Sequence, residues 1–138
     1  MSQAADKRDS APGWTGATTD PTRLVLLRHG QSPMSIRREY SGSRSNPDLT
    51  EVGRQQAKAA ARHLAALVDS GNMSFSAIVA SPQRRAQQTA EAAAKALGLD
   101  IHVEEDLRET DFGQWEGMTF SEAHNATPEL HSSWLADP

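Results

Sequence analysis

The feature that most constrains the fold is a regular alternation of short apolar segments with alanine-rich segments of helical periodicity. The apolar segments predict three strands, at Arg23–Leu27, Ala77–Ala80 and Asp100–Glu104. A helical pattern lies between each strand and the next. This order predicts right-handed crossovers and a largely parallel sheet with helices on both faces. The predicted fold class is therefore α/β.

Polar residues mark where each helix begins. Thr50 caps a predicted helix of about twenty residues, which Gly71 stops. Ser81 and Pro82 open the next helix, with serine as the cap and proline in the first turn. Two further helices are predicted to begin at the capping box Thr119–Glu122 and at Thr127-Pro128.

Composition sets the class of protein and its surroundings. Residues 1–21 mix Ser, Thr, Asp, Gly and Pro without periodicity, which predicts a disordered tail or linker before a single domain at 22–138. A net charge of −4 argues against nucleic-acid binding, and the absence of cysteine excludes disulfides and thiolate metal sites. The longest aliphatic run, Leu24–Leu27, is too short to cross a bilayer. We therefore expect a cytoplasmic domain that binds neither membrane nor nucleic acid.

The distribution of arginine suggests an anionic ligand. Eleven of the 14 basic residues are arginine, and codon usage in a GC-rich genome would explain their number but not their placement. Many lie in the long polar loop at 28–49 or follow the other strands, so they leave the edge of the sheet where ligands of α/β folds bind. These are Arg28, Arg37, Arg38, Arg44, Arg84, Arg85 and Arg108. A phosphate group is the natural partner of such a cluster.

His29 follows the first predicted strand, between Arg28 and Gly30. A neutral imidazole there can attack phosphorus, because one ring nitrogen keeps a free lone pair while the other is held by a hydrogen bond. Gly30 would let the backbone pass close to the phosphate. A structural histidine and a metal ligand are the alternatives. Metal binding is disfavoured because the other histidines are scattered over different elements: His63, His102, His124 and His131.

Five segments in order resemble the histidine phosphatase superfamily, the phosphoglycerate mutase-like enzymes. They are Arg28–Gly30, Tyr40–Gly42, Asn46–Gly53, Ser81–Ala90 and Leu107–Gly117. The sequence of these segments is most similar to the acid phosphatase module that follows a ribonuclease H domain in actinobacterial bifunctional proteins. That resemblance would make residues 1–21 the interdomain linker.

The resemblance implies a phosphomonoesterase that works without a metal or other cofactor on a phosphorylated small molecule. Arg28 and Arg85 would clamp the phosphate, His29 would form a phosphohistidine, and Glu109 would protonate the leaving alcohol. Glu109 as an ordinary surface-loop acid is the alternative. Further substrate contacts are expected from Gly30, Ser35, Ser41 and Gly42, with Ser35 at the place where mutases carry asparagine.

One departure from the family pattern leaves other functions open. The family completes its site with a second histidine on a later strand, and no such motif follows Glu109. We therefore expect residues 22–138 to be the N-terminal part of the fold, lacking its C-terminal part and of poor activity alone. The unpaired edge at Leu24–Leu27 would favour self-association. A mutase-type phosphotransferase and a non-catalytic phosphate-binding module are the alternative functions.

Overall fold

The computed structural model describes residue 16 and residues 21–138. The predicted tail or linker over residues 1–21 therefore lies outside the described residues, apart from Gly16 and Pro21. The start of the domain at residue 22 stays a prediction. Among the described residues, no helix combines the length and the apolar character that crossing a bilayer requires.

The described residues contain five α-helices, two strands and two short 3₁₀ helices, at Glu105–Leu107 and Gly113–Trp115. The helices are α1 (Pro33–Arg37), α2 (Glu51–Asp69), α3 (Arg84–Leu97), α4 (Phe120–Ala126) and α5 (Pro128–Ala136). The strands are β1 (Ile78–Ala80) and β2 (Ile101–Val103), and they pair in parallel, with Ile78 opposite Ile101. Helix α3 is the crossover between them, so the predicted α/β class with a parallel sheet is confirmed.

Small side chains let α2 and α3 pack closely. The Thr50 hydroxyl accepts a hydrogen bond from the Gly53 amide, which caps α2 as predicted. The face of α2 that meets α3 is alanine-rich, and short side chains allow a small distance between helix axes. The buried alanines are Ala57 and Ala61 on α2, and Ala90 and Ala93 on α3. This pair of helices forms the main core next to the sheet.

The predicted first strand at Arg23–Leu27 is wrong. Leu24 and Leu26 are 81% and 90% exposed, and no backbone hydrogen bond joins residues 22–28 to another described residue. A strand is defined by its partner, and in residues 21–138 the two-stranded sheet pairs β1 only with β2. An apolar segment without a neighbour therefore stays irregular, whatever its composition.

Two other boundaries differ from the prediction. The loop at 28–49 contains α1, whose capping box joins Ser32 and Ser35 and which was not predicted. Helix α3 begins two residues later than expected, because Gln83 rather than Ser81 is its N-cap residue. By contrast, the capping box of Thr119 and Glu122 forms as predicted and starts α4.

An aromatic cluster fixes α4 and α5 against the first loop. Tyr40 packs between Phe112 and Trp115, and its hydroxyl lies 2.8 Å from Nε2 of the fully buried His131 in α5. The Trp115 indole N–H donates to the Thr127 hydroxyl at 2.9 Å. The loop that follows β2 is thereby held next to the loop that follows His29.

Candidate active site

The structure brings the four predicted catalytic residues into one neighbourhood. Arg85 lies in the first turn of α3, just after β1, and Glu109 lies in the loop after β2. The charges of Arg28, Arg85 and Glu109 all act on the pKa of His29. The Gln83 Oε1 accepts a hydrogen bond from the Glu109 amide at 3.0 Å and lies 3.4 Å from Nη2 of Arg85, which places the backbone of Glu109 beside that guanidinium. Arg85 and Glu109 follow the C-terminal ends of β1 and β2, as the sheet-edge rule predicts, whereas Arg28 and His29 follow no strand in the described residues.

The His29 imidazole is held in a form suited to nucleophilic attack. Its Nδ1 lies 2.8 Å from the Gly30 carbonyl oxygen, which can only accept a hydrogen bond. Nδ1 therefore carries the proton of the neutral ring, and Nε2 keeps its lone pair. Burial lowers the pKa of His29 below its ordinary value, opposed by the Gly30 hydrogen bond and Glu109 and reinforced by the positive charges of Arg85 and Arg28.

Gly30 is required by a contact with α2 rather than by open space for a ligand. A Cβ at Gly30 would lie 2.4 Å from the Gly53 carbonyl oxygen, and a Cβ at Gly53 would lie 2.1 Å from the Gln31 carbonyl oxygen. The Gly30 amide donates to the buried Thr89 hydroxyl at 3.0 Å, and that hydroxyl donates to the Arg85 carbonyl at 2.7 Å. The His29 loop is therefore locked to α2 and α3 at once.

Arg85 is only 2% exposed, although it carries a guanidinium. Nη1 donates to the Ser45 carbonyl at 3.1 Å and Nη2 to the Ser41 carbonyl at 3.0 Å, so the first loop holds the side chain in place. Burial lowers the pKa of Arg85, while the negative charges of Glu109 and Glu116 oppose that shift. The guanidinium has five N–H donors. Among residues 21–138, Nε and the second N–H of Nη1 have no protein acceptor.

The other predicted contact residues differ in what their atoms can still bind. Arg28 is exposed, and no described residue accepts a hydrogen bond from its guanidinium. The Ser41 hydroxyl oxygen is buried without a partner among the described residues. The Ser35 hydroxyl is engaged in the capping box with Ser32. Gly42 is buried, and a Cβ there would lie 2.3 Å from the Thr110 carbonyl oxygen.

Several arginines of the predicted cluster form ion pairs near the surface. The pairs are Arg37 with Glu39, Arg44 with Asp111, Arg84 with Asp48 and Arg108 with Glu105. Exposed pairs of this kind contribute little to stability. Their positions in the first loop and after the strands predicted that they lie near the site. In the structure, each of these guanidiniums is paired with a carboxylate.

Two polar residues that the sequence did not single out organise the loops around the site. The Glu116 carboxylate accepts hydrogen bonds from the amides of Arg44 and Ser45 and from the Ser45 hydroxyl. Burial alone would raise the pKa of Glu116, but these hydrogen bonds outweigh it and hold the pKa below its ordinary value. Gln83 is 3% exposed and bonds to both the first loop and the Glu109 amide. Both residues lie in segments that resemble the family, Ser81–Ala90 and Leu107–Gly117, but no role was predicted for either of them.

Two cavities adjoin the imidazole. A cavity of about 270 Å³ is bordered by His29, Gln56 and Thr89. A larger, mainly apolar cleft of about 780 Å³ runs from His29 and Ser81 beneath the segment that contains Leu24–Leu27. Arg28 and His29 line both cavities, whereas Arg85 and Glu109 line neither.

The profile of the histidine phosphatase superfamily (branch 1) matches residues 24–138. The bifunctional protein Rv2228c of Mycobacterium tuberculosis is 53% identical over 133 residues, which cover 96% of this chain and 35% of that protein. Glucosyl-3-phosphoglycerate phosphatase of Mycolicibacterium vanbaalenii is 38% identical over 115 residues, which cover 83% of this chain and 48% of the relative. The chain thus spans half or less of the length of these relatives.

Solved structures agree with the sequence matches. The mycobacterial glucosyl-3-phosphoglycerate phosphatase Rv2419c with VO3 superposes with a TM-score of 0.67 at 35% identity, covering 78% of this chain and 50% of that one. Phosphoserine phosphatase of Entamoeba histolytica with 3-phosphoglyceric acid gives a TM-score of 0.59 at 33% identity, covering 70% of this chain and 44% of that one. The resemblance predicted from the sequence, and with it the phosphoglycerate mutase-like fold, is confirmed.

Proposed function

We propose that this chain, which belongs to the histidine phosphatase superfamily, hydrolyses phosphomonoesters through a phosphohistidine formed on His29. The observation that carries the proposal is the state of the imidazole. Its Nδ1 is bound to the Gly30 carbonyl, and its pKa is lowered beside two arginines. A neutral ring with a free Nε2 lone pair is the form that can attack phosphorus.

The reaction proceeds in two steps. Nε2 of His29 bonds to phosphorus as the bond to the leaving alkoxide breaks, and Glu109 transfers its proton to that alkoxide. In the second step, the oxygen of a water molecule bonds to phosphorus, the phosphorus–nitrogen bond breaks, and the Glu109 carboxylate takes a proton from the water. A positioned general acid typically contributes about 10²–10⁴-fold to such a rate.

Arg28 and Arg85 stabilise the charge on the transferring phosphoryl group. Arg85 is held by the carbonyl oxygens of Ser41 and Ser45, so its remaining donors need little reorganisation when the ligand arrives. Arg28 is exposed, and its guanidinium would bind the other oxygens of the phosphate. These two guanidiniums supply the positive charge that a metal supplies in other phosphatases, so the reaction needs no metal and no cofactor.

The substrate is a phosphorylated small molecule, as the names of the related phosphatases suggest for those proteins. Ser41 is the strongest of the further contact candidates, because its buried hydroxyl oxygen has no partner among the described residues. Ser35, Gly30 and Gly42 support the loop instead, since their polar atoms or their space are already used by neighbours.

A phosphate-binding module without catalysis is the second candidate, and one observation favours it. No described residue offers a second imidazole beside His29. His63 and His102 are exposed on α2 and β2, and His131 is buried against Tyr40. In the family that this chain resembles, a second histidine helps to hold the phosphoryl group. Removing one preorganised donor from such a site typically lowers the rate by about 10²–10³-fold.

One set of assays separates these functions. We expect slow phosphate release from 4-nitrophenyl phosphate that persists with a chelator, is inhibited by vanadate and is abolished in His29→Ala. Vanadate binding without any phosphate release would favour the binding module, and isomerisation of a phosphoglycerate with little phosphate release would favour a mutase. Loss of activity on chelation, restored by Mg²⁺ or Zn²⁺, would contradict the proposed mechanism.

A further inference from the structure

Gln83 joins three parts of the candidate site through one side-chain amide. Its Nε2 donates to the Gly42 carbonyl at 2.7 Å and lies 3.4 Å from the Ser45 carbonyl. Its Oε1 accepts from the Glu109 amide at 3.0 Å and lies 3.4 Å from Nη2 of Arg85. The side chain therefore contacts the loop after His29, the phosphate-binding arginine and the backbone of the proton donor.

The orientation of this amide is fixed by the chemistry of its neighbours. The Gly42 and Ser45 oxygens are carbonyl acceptors, so the amide nitrogen must face them, and the Glu109 N–H is a donor, so the amide oxygen must face it. With only 3% of the residue exposed, water cannot replace these bonds. A side chain without both a donor and an acceptor leaves buried polar groups unpaired.

The bond to Gln83 restrains the Glu109 amide, and a separate bond from the Ser43 amide to the Thr110 carbonyl, at 2.9 Å, restrains the next residue. In the described part of the chain, the Glu109 amide has no other acceptor, and its carbonyl accepts no backbone hydrogen bond. The Glu109 side chain is exposed, apart from one contact of its Oε1 with the Thr110 amide at 3.0 Å. The position of the Glu109 carboxyl group therefore depends on the side-chain amide of Gln83, the N-cap residue of α3.

We propose that Gln83 is a positioning residue that sets the Glu109 carboxyl group relative to Arg85 and His29. The inference rests on the proposed function, in which Glu109 protonates the leaving group. Gln83 touches neither the phosphate nor the leaving group. It acts through the Glu109 amide on one side and through Arg85 and the Gly42 carbonyl on the other.

Leaving-group dependence distinguishes this role from a merely structural one. An alkyl alkoxide is a poor leaving group and needs the proton of Glu109, whereas 4-nitrophenolate leaves without it. In Gln83→Met, we expect kcat for an alkyl phosphate to fall at least about tenfold more than kcat for 4-nitrophenyl phosphate, which is part of the effect of a general acid. Partial unfolding would lower both rates equally. Equal losses for the two substrates would overturn the proposal.

Gln87→Met is the matched control. Gln87 is in the same helix and its Nε2 donates to the Ser81 carbonyl at 2.6 Å, outside the catalytic set. We expect it to keep the wild-type ratio of the two rates. Gln83→Glu, which keeps the acceptor for the Glu109 amide, should also stay nearer the wild-type ratio than Gln83→Met does. A Gln83→Glu ratio no closer to wild type than that of Gln83→Met would count against the Glu109 link.

A measurement on the protein alone keeps the inference separate from the proposed function. If wild type hydrolyses neither substrate, the proposed function fails, and amide hydrogen exchange by NMR then tests Gln83. The Glu109 amide should exchange at least about tenfold faster in Gln83→Met than in Gln87→Met, because it loses its acceptor. Unchanged exchange at Glu109 would show that Gln83 does not hold this loop.

Discussion

Replacing Gly53 by alanine tests whether the contact between α2 and the His29 loop matters as the structure indicates. The added Cβ would lie 2.1 Å from the Gln31 carbonyl oxygen, where ordinary contact begins at 3.4 Å. That carbonyl cannot simply move aside, because it accepts from the Thr50 amide at 2.9 Å. The cap of α2 and the loop that contains His29 would therefore have to separate by about 1 Å.

The expected magnitude follows from two opposing effects. Overpacking of this kind costs about 1–3 kcal/mol, and the strained Thr50 hydrogen bond adds to it. Alanine in place of glycine favours a helix by up to about 1 kcal/mol. We therefore expect Gly53→Ala to lower the free energy of unfolding by about 1–2 kcal/mol. Phosphatase activity should fall by up to about 10²-fold, because a shift of about 1 Å at a catalytic group has that effect.

Urea denaturation and phosphate release measure the two consequences. Ala59→Gly, at an exposed position of α2, is the matched control. It measures the helix-propensity effect alone and should leave activity unchanged. If Gly53→Ala is more stable than wild type and equally active, the close approach of Gly30, Gln31 and Gly53 does not constrain the site, and the reasoning fails.

Three further predictions concern charge and exposure around the site. Arg85→Gln should raise the pKa of His29, because it removes a positive charge that disfavours the imidazolium. An unchanged NMR titration of the imidazole would contradict the proximity of Arg85 to His29. The pKa of His29 is lower in the folded chain than in the unfolded chain, so the unfolded chain takes up the proton at a higher pH. The free energy of unfolding should therefore fall as the pH drops below 6.5, and it should fall less in His29→Gln. Equal pH dependence of urea denaturation in wild type and His29→Gln would refute a lowered pKa of His29. Leu26→Lys should reduce self-association in sedimentation experiments, because Leu26 is 90% exposed in an unpaired apolar segment, and an unchanged sedimentation coefficient would argue against this interface.

The helices were predictable because their signals are local. Thr50 and Thr119 each cap the helix that follows within a few residues, and the alanine-rich periodicity of α2 and α3 needs no knowledge of distant partners. Strand prediction worked at β1 and β2, where a partner is present, and failed at Arg23–Leu27. Apolar composition reports a tendency to be buried, but it does not report whether a neighbouring strand exists to pair with it.

The sequence singled out the charged residues proposed for the site but not the contacts that support them. Arg85 and Glu109 follow the two strands of the parallel sheet, whose ends meet at one edge, whereas Arg28 and His29 follow no strand in residues 21–138. The roles of Gln83 and Glu116 depend on contacts with loops that are distant in sequence, so their position inside the family-like segments did not predict those roles. Gly30 was singled out for the wrong neighbour, because the collision that a side chain would make is with Gly53.

Trapping the phosphorylated enzyme tests the central claim most directly. The protein would be mixed with a phosphorus-labelled phosphomonoester, quenched in alkali and digested with trypsin, which cleaves after Arg28 and Arg37. We expect label on the peptide His29–Arg37, stable in alkali and lost in acid as a phosphorus–nitrogen bond is, and absent from His29→Ala. Phosphate release without label on this peptide, or label that survives acid, would contradict a phosphohistidine at His29.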